Sequence, residues 1–193
     1  GAAAAELREA VPGLEIWHQT GEADHQAVVD AYRAAGLDGS VARVVPLIKD
    51  MTEPYGWCDL ALCRAGATSL AELSAVGIPA VLVPLPHAAD NHQEWNARSL
   101  VDAGGAVLVH QRDLGACLTT TVAELLCDVK KKIAAFACRA VRPTRESKAR
   151  RAAAIADSVS AVLASETTPT SVPSAGQVIV RVSPVEDGTQ APR

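Results

Sequence analysis

Aromatic side chains are scarce in this 193-residue chain, which has three Trp, two Tyr and one Phe. A core therefore has to be built from Val, Leu, Ile and Ala. Positive charge is not in excess either: the formal net charge is −4, which gives no general case for nucleic acid as a partner. The five cysteines (Cys58, Cys63, Cys117, Cys127 and Cys138) are odd in number and form no C-x-x-C pair. That argues against both a disulfide framework and a zinc ribbon, and free thiols in a reducing cytoplasm are the simplest account. No apolar run approaches the roughly 18–20 residues needed to span a bilayer. Ala2–Ala5 is too short for a signal-peptide core and has no basic start. No G-x-S-x-G elbow occurs, nor a G-x-G-x-x-G or Walker A loop, so hydrolase, NAD and ATP readings have no anchor. No internal repeat is visible.

What is present fits one α/β domain. A chain of this length buries roughly 70% of its unfolded surface and needs no staples. It has no initiator Met and opens on Gly1–Ala10, good helix formers stopped by Pro12-Gly13. A helix ahead of the first strand suggests that a strand and its glycine turn lie upstream, and that the chain is the C-terminal part of something longer. Short apolar strands are expected at 14–19, 41–46, 59–63, 80–83 and 106–110. Helices are expected at 23–35, 51–57, 68–76 and 91–103. This alternation argues for a Rossmann-like parallel sheet with helices on both faces. Ligands of such sheets bind beyond the carboxyl ends of the strands. Those ends fall at His18–Gly21, Leu47–Asp50, Arg64–Ser69 and Pro84–Gln93.

After His110 the pattern is helical. Thr121-Val122-Ala123-Glu124 spells a capping box ahead of Leu125–Phe136, and a further helix is expected at 148–163. Lys130–Arg151 holds nine basic residues against one acid, Glu146, either a solvated helical face or a contact for anionic membrane or phosphate. Residues 1–164 are expected to form the domain and 165–193 a low-complexity, disordered tail. Within that tail, Gln177–Val182 has strand composition but no obvious partner.

The most informative stretch is Arg64-Ala65-Gly66-Ala67-Thr68-Ser69-Leu70-Ala71-Glu72. Strand, small-residue turn and helix start is the arrangement that aims backbone N–H groups and the positive end of a helix dipole at an anion. Gly66 and Ala67 allow close approach, Thr68 and Ser69 offer hydroxyls, and Glu72 can accept hydrogen bonds from a sugar diol. Phosphate plus diol means a nucleotide. The competing account is structural: Ser69-Leu70-Ala71-Glu72 fits a capping box, which explains both end residues without a ligand. A second polar segment, Pro84–Ala97, enters a helix with His92 and Asn96 on one face and Gln93 beside them, which suits a hydroxyl-rich ligand such as a hexose. Its alternatives are capping by Asp90 and a metal site of His87, Asp90 and His92. The latter lacks a clear fourth ligand or second shell.

Four segments, Ile16–Gly21, Cys63–Leu73, Ile78–Pro84 and His87–Ala97, resemble the C-terminal half of the MurG family of GT-B glycosyltransferases in order and spacing. The resemblance runs in register from about Gly1 to Leu163. It implies the C-terminal, donor-binding domain of a hexosyltransferase that moves GlcNAc from UDP-GlcNAc onto lipid I, giving lipid II for peptidoglycan synthesis. It implies that Ile48 reads the uracil edge with its backbone, and that Gly66, Ala67, Thr68 and Ser69 lie against the diphosphate and GlcNAc. Glu72 would bind the ribose diol, His92, Gln93 and Asn96 would lie near the GlcNAc hydroxyls, and Arg64 is the basic residue before the turn. His18 and Gln19 belong to a family string and read as structural. The family is metal-independent and inverting, works without a cofactor at the cytoplasmic face of the bacterial inner membrane, and meets lipid I through its N-terminal half. The glycine-rich loops, the proposed general base and the acceptor surface of that half have no counterpart in this sequence. No catalytic residue is therefore assigned, and the chain alone is expected to be incomplete. An alternative is a non-catalytic donor-binding subunit of a split GlcNAc transferase that works only with a partner protein.

Overall fold

The computed structural model describes residues 1–86, 91–136 and 176–183, with side chains described to residue 127 in the last helix. The elements follow in the order α1 (Ala2–Ala10), β1 (Leu14–Gln19), α2 (His25–Ala34), β2 (Ala42–Val45), α3 (Thr52–Trp57), β3 (Leu60–Cys63), α4 (Ala67–Val76), β4 (Ala80–Leu82), α5 (His92–Asp102), β5 (Ala106–Leu108), α6 (Leu114–Phe136) and β6 (Gln177–Val182). The six strands form one sheet in the order β2-β1-β6-β3-β4-β5. Pairs β1–β2, β3–β4 and β4–β5 are parallel. The chain winds outward on one side through β1 and β2 and on the other through β3, β4 and β5, as a doubly wound sheet does.

The expected α/β sheet with helices on both faces is what forms, but it is not wholly parallel. β6 lies antiparallel between β1 and β3. The segment expected to be a strand without a partner is instead central, and it belongs to the sheet rather than to a tail. The rest of 165–193 and the helix expected at 148–163 lie outside the described residues. A second correction concerns α6, which runs unbroken from Leu114, so Thr121–Glu124 is helix interior and caps nothing.

The sheet is buried on both faces because its strands alternate between two apolar layers. Trp17, Ala61, Cys63, Leu82 and Ile179 point to the layer containing Tyr55, Leu73, Val76 and Leu100 from α3, α4 and α5. Leu14, Ile16, Leu60, Val81 and Val180 point to the layer of Leu7, Tyr32 and Val122 from α1, α2 and α6. Leu60, Leu73, Leu82 and Ile179 are fully buried, each worth about 1.5–3 kcal/mol of transfer free energy. The scarcity of aromatics is met by concentrating them. Trp17 and Trp57 stack edge to face at 6.0 Å, with the Arg43 guanidinium 3.9 Å above the Trp17 ring. Cys58, Cys63, Cys117 and Cys127 form no disulfide. Among the described residues no helix is long and apolar enough to cross a membrane.

Candidate functional site

The strand order reverses between β1 and β3, and the crevice beyond their carboxyl ends is where a doubly wound sheet holds its ligand. On the β3 side the turn Arg64–Gly66 leads into α4. Gly66 is the N-cap residue, in extended conformation at φ −69° and ψ 144°, and no side chain caps the helix. Ser69 is the third helical residue, so the capping box its sequence spells is not made. The helix begins earlier, with Ala67 and Thr68 already in helical conformation. The first intrahelical bond is from Leu70 N–H to the Gly66 carbonyl. The N–H groups of Ala67, Thr68 and Ser69 precede it and have no helical acceptor.

Glu72, released from the capping role, is held from another element. Tyr55 Oη on α3 donates to Glu72 Oε2 at 2.8 Å. Burial pushes the Tyr55 phenol well above its ordinary pKa, and the Glu72 charge adds to that. The Cys63 thiol is pushed up to about 12, first by burial and then by the same charge. Tyr55 is 3% exposed and therefore a fixed donor. Sequence reasoning passed over it. The available signal was a tyrosine in an otherwise undistinguished short helix opposite a carboxylate in need of a donor.

On the β1 side, Gln19 Oε1 accepts from the Ile48 N–H at 2.8 Å, pinning the loop after β2 to the strand end. Gln19 is structural as expected, and the Ile48 amide hydrogen is committed to it. His18 is half-buried against Tyr32, with Nδ1 and the phenol oxygen 3.2 Å apart. Its pKa is lowered to about 4 by burial, with a smaller contribution from the nearby Gly1 amino group. It is a half-buried histidine held in its neutral form near pH 7.

The start of α5 closes the third side. Asn96 Nδ2 donates to the Ala65 carbonyl at 3.2 Å, tying α5 to the turn before α4. Gln93 Oε1 accepts from the Leu85 N–H at 2.9 Å. Arg64 Nη1 reaches the carbonyls of Val83 and Pro84 at 3.3 and 3.5 Å, so the guanidinium buttresses the loop after β4. His92 is the first residue of α5 and lies on the Asn96 face. Thus Arg64, Gly66–Ser69, Gln93 and Asn96 are joined directly through two loops, Glu72 joins them through α4, and Ile48 faces them from the opposite lip. His87 and Asp90, two of the three side chains of the metal alternative, lie outside the described residues. A cavity of about 640 Å³ on the other face of the sheet is a different space. It is lined from α1, α2, α6 and the sheet, by Ala4, Leu7, Val28, Val122, Ile16 and Val180 among others.

A doubly wound sheet with an uncapped helix N terminus and a fixed carboxylate at its switch point defines a Rossmann-like domain suited to an anion beside a hydroxyl-bearing group. Comparison with known proteins places it further. Residues 2–158 match the model of the glycosyltransferase family 28 C-terminal domain. The chain belongs to that family. It is 45% identical over 166 residues to the UDP-N-acetylglucosamine--N-acetylmuramyl-(pentapeptide) pyrophosphoryl-undecaprenol N-acetylglucosamine transferase of Nitratidesulfovibrio vulgaris, covering 82% of this chain and 41% of the relative. It is also 45% identical over 149 residues to the transferase of the same name from Shewanella amazonensis, covering 77% of this chain and 38% of the relative. The crystal structure of Acinetobacter baumannii MurG is similar at a TM-score of 0.53 and 30% identity, over 81% of this chain and 49% of that one. The chain spans less than half the length of these relatives.

Proposed function

We propose that this chain binds UDP-GlcNAc as the donor-side part of an inverting N-acetylglucosaminyltransferase that converts lipid I to lipid II in peptidoglycan synthesis. The observation that carries the reading is the uncapped start of α4 at the switch point, with Glu72 one turn further on and oriented by Tyr55. It stands within a chain similar to transferases named for GlcNAc transfer to an undecaprenyl-linked acceptor. The amides of Ala67, Thr68 and Ser69 and the helix dipole hold the diphosphate and stabilise it as a leaving group. Glu72 accepts the ribose diol. Ile48 offers its carbonyl to the uracil edge, since its N–H is engaged by Gln19. His92, Gln93 and Asn96 border the GlcNAc hydroxyls, with Gln93 and Asn96 also fixing the loops they bond. Arg64 shapes the turn.

Lipid I reaches this site through an acceptor half docked at the same rim, at the cytoplasmic face of the membrane. Support comes from the surface: the exposed large apolar side chains among the described residues are Leu47, Leu85 and Trp95. These follow β2, follow β4 and open α5, so all three sit at the carboxyl-end rim. Isothermal titration tests the donor reading. UDP and UDP-GlcNAc are expected to bind, UMP more weakly and ADP more weakly still. Equal affinity for ADP and UDP overturns the uracil assignment, and no binding of either uridine diphosphate overturns the reading as a whole.

A further inference from the structure

We propose that Gln19 determines the base preference of the donor crevice: it is a positioning residue that acts through Ile48 and sets which backbone group the lip turns toward the base. The proposal rests on the donor-site reading above and assigns its base selection to a buried side chain set behind the lip.

Gln19 closes β1 in register with Val45, the last residue of β2. The ladder between the two strands runs on past both ends. The Thr20 N–H donates to the Val45 carbonyl at 3.0 Å, and the Gly21 N–H to the Pro46 carbonyl at 2.9 Å. Backbone pairing stops where Gly21 turns into the left-handed region at φ 79°. Gln19 reaches beyond that point with its side chain, whose Oε1 accepts from the Ile48 N–H at 2.8 Å. Gln19 is 3% exposed, so water does not compete for this acceptor. On the far side, the Ile48 side chain packs against the apolar layer of α3, α4 and α5. Asp50 Oδ1 then accepts from the Thr52 N–H at 2.8 Å at the entry to α3. A surface loop is ordinarily mobile. This one is pinned on both sides of Ile48, and such prior ordering lowers the cost of binding.

A backbone position offers a base two groups, an N–H and a carbonyl. With the Ile48 N–H held by Gln19, the carbonyl is the group left for the base, and a carbonyl requires a donor. Uracil carries one, the ring N3–H, at the middle of its pairing edge. Cytosine has the same size and shape but a lone pair on N3, and a carbonyl set against a lone pair repels. A site built around a hydrogen bond rejects a ligand that lacks the donor, because its own acceptor is left unpaired. Released from Gln19, the Ile48 peptide is free to turn, and its N–H then answers cytosine N3 as well as its carbonyl answers uracil N3–H.

The test uses the full chain and two variants. Gln19→Met fills the same space without an amide oxygen, and Gln19→Glu keeps an acceptor for the Ile48 N–H. Amide hydrogen exchange without ligand reads the bond itself. The Ile48 amide is expected to exchange slowly in the parent and in Gln19→Glu, and about tenfold faster in Gln19→Met, with the Thr20 and Gly21 amides unchanged. Titration reads the consequence. The parent is expected to prefer UDP over CDP, and Gln19→Glu to keep that preference. In Gln19→Met, UDP binding weakens about fivefold, the worth of one neutral hydrogen bond, while CDP binding holds or tightens. If Gln19→Met does not fold, Gln19→Asn, one methylene shorter, withdraws the acceptor in its place and carries the same expectations. A variant that keeps the full preference while its Ile48 amide exchanges faster overturns the proposal. Equal losses for UDP and CDP also overturn it, since they show a general loosening of the site. Unchanged exchange at Ile48 overturns the bond as the pin. UDP and CDP bound equally by the parent sinks the uracil assignment itself, a separate result because no variant enters it.

Discussion

Glu72 sits where two physical accounts compete, and the contact it makes decides between them. Its partner is a phenol on α3, so replacing it removes no helix cap. Glu72→Gln keeps an acceptor for Tyr55 but gives up the charge that strengthens bonds from ribose hydroxyls, worth about 1.5–3 kcal/mol against about 1 kcal/mol for a neutral bond. UDP affinity is expected to fall about tenfold with the melting temperature within a few degrees of the parent. A melting temperature that drops while UDP affinity holds would return Glu72 to a structural role. Tyr55→Phe tests the orientation from the other side: the carboxylate stays but its fixed donor goes, and titration should show a smaller loss of UDP affinity than Glu72→Gln gives. His18 yields a pH prediction. Its folded pKa of about 4 lies below the ordinary 6.5, so the unfolded chain binds the proton first as pH falls. The stability that neutral His18 contributes is whole above pH 6.5 and is lost progressively down to about 4, of order 2 kcal/mol. Urea unfolding at pH 7 and pH 4.5 measures it, and a variant in which Phe replaces His18 should lose this part of the acid sensitivity. Equal acid sensitivity in both proteins would show that His18 does not carry it.

At the scale of elements, the site consists of helix starts and loops aligned by side chains that bond backbone. Asn96 is the clearest case, since its amide carries the position of α5 to the Ala65 carbonyl and so to the turn before α4. Asn96→Ala should cost about 1 kcal/mol of stability and weaken UDP-GlcNAc binding, because the amides of α4 lose their brace. Gly77 provides the contrast. It ends α4 in the left-handed region at φ 79°, so Gly77→Ala should cost about 1 kcal/mol with donor affinity unchanged. Urea unfolding and titration on both variants separate the two kinds of loss. Elements were also where the sequence was most and least readable. β1 fell at Leu14–Gln19 as expected, because its apolar run is bounded by Gly13 and by the polar Thr20-Gly21. The start of α4 was ambiguous because Ser69 and Glu72 satisfy a capping pattern whether or not the helix begins there, and only the backbone at Gly66 resolves it. Tyr55 carried no local pattern, since its role depends on a carboxylate 17 residues away. β6 was legible as a strand from its alternation but not as a central one. Strand pairing is non-local, and nothing within Gln177–Val182 says which edges it will meet. The groups that receive it, Glu15, Asp59 and Trp17, lie more than a hundred residues earlier.

For the whole molecule, the crevice offers one wall of a reaction site. The α4 amides, Glu72 and the Ile48 loop suit a donor nucleotide, and on that reading His92 at the start of α5 borders the donor sugar rather than an acceptor. His18 packs half-buried on Tyr32 on the face away from α4, and His110 lies beyond β5 with Nδ1 3.7 Å from Glu94. Transfer requires the acceptor hydroxyl to lose its proton while held against the anomeric carbon, and such positioning supplies about 7–11 kcal/mol of a barrier. A single wall cannot hold the acceptor that way. On the proposed reading, a second wall docks over the exposed Leu47, Leu85 and Trp95 at the rim. This polypeptide alone is therefore expected to make no lipid II from lipid I and UDP-GlcNAc while still binding the donor, and adding divalent metal should change neither result. A radiolabelled transfer assay beside a UDP titration reads both properties on one preparation. Adding an N-terminal half from one of the relatives in trans is the informative arm, and Trp95→Ser should weaken any activity it restores without altering UDP affinity. Turnover by the lone chain would mean that the acceptor is positioned on this domain, and the division between a donor wall and an acceptor wall would be wrong.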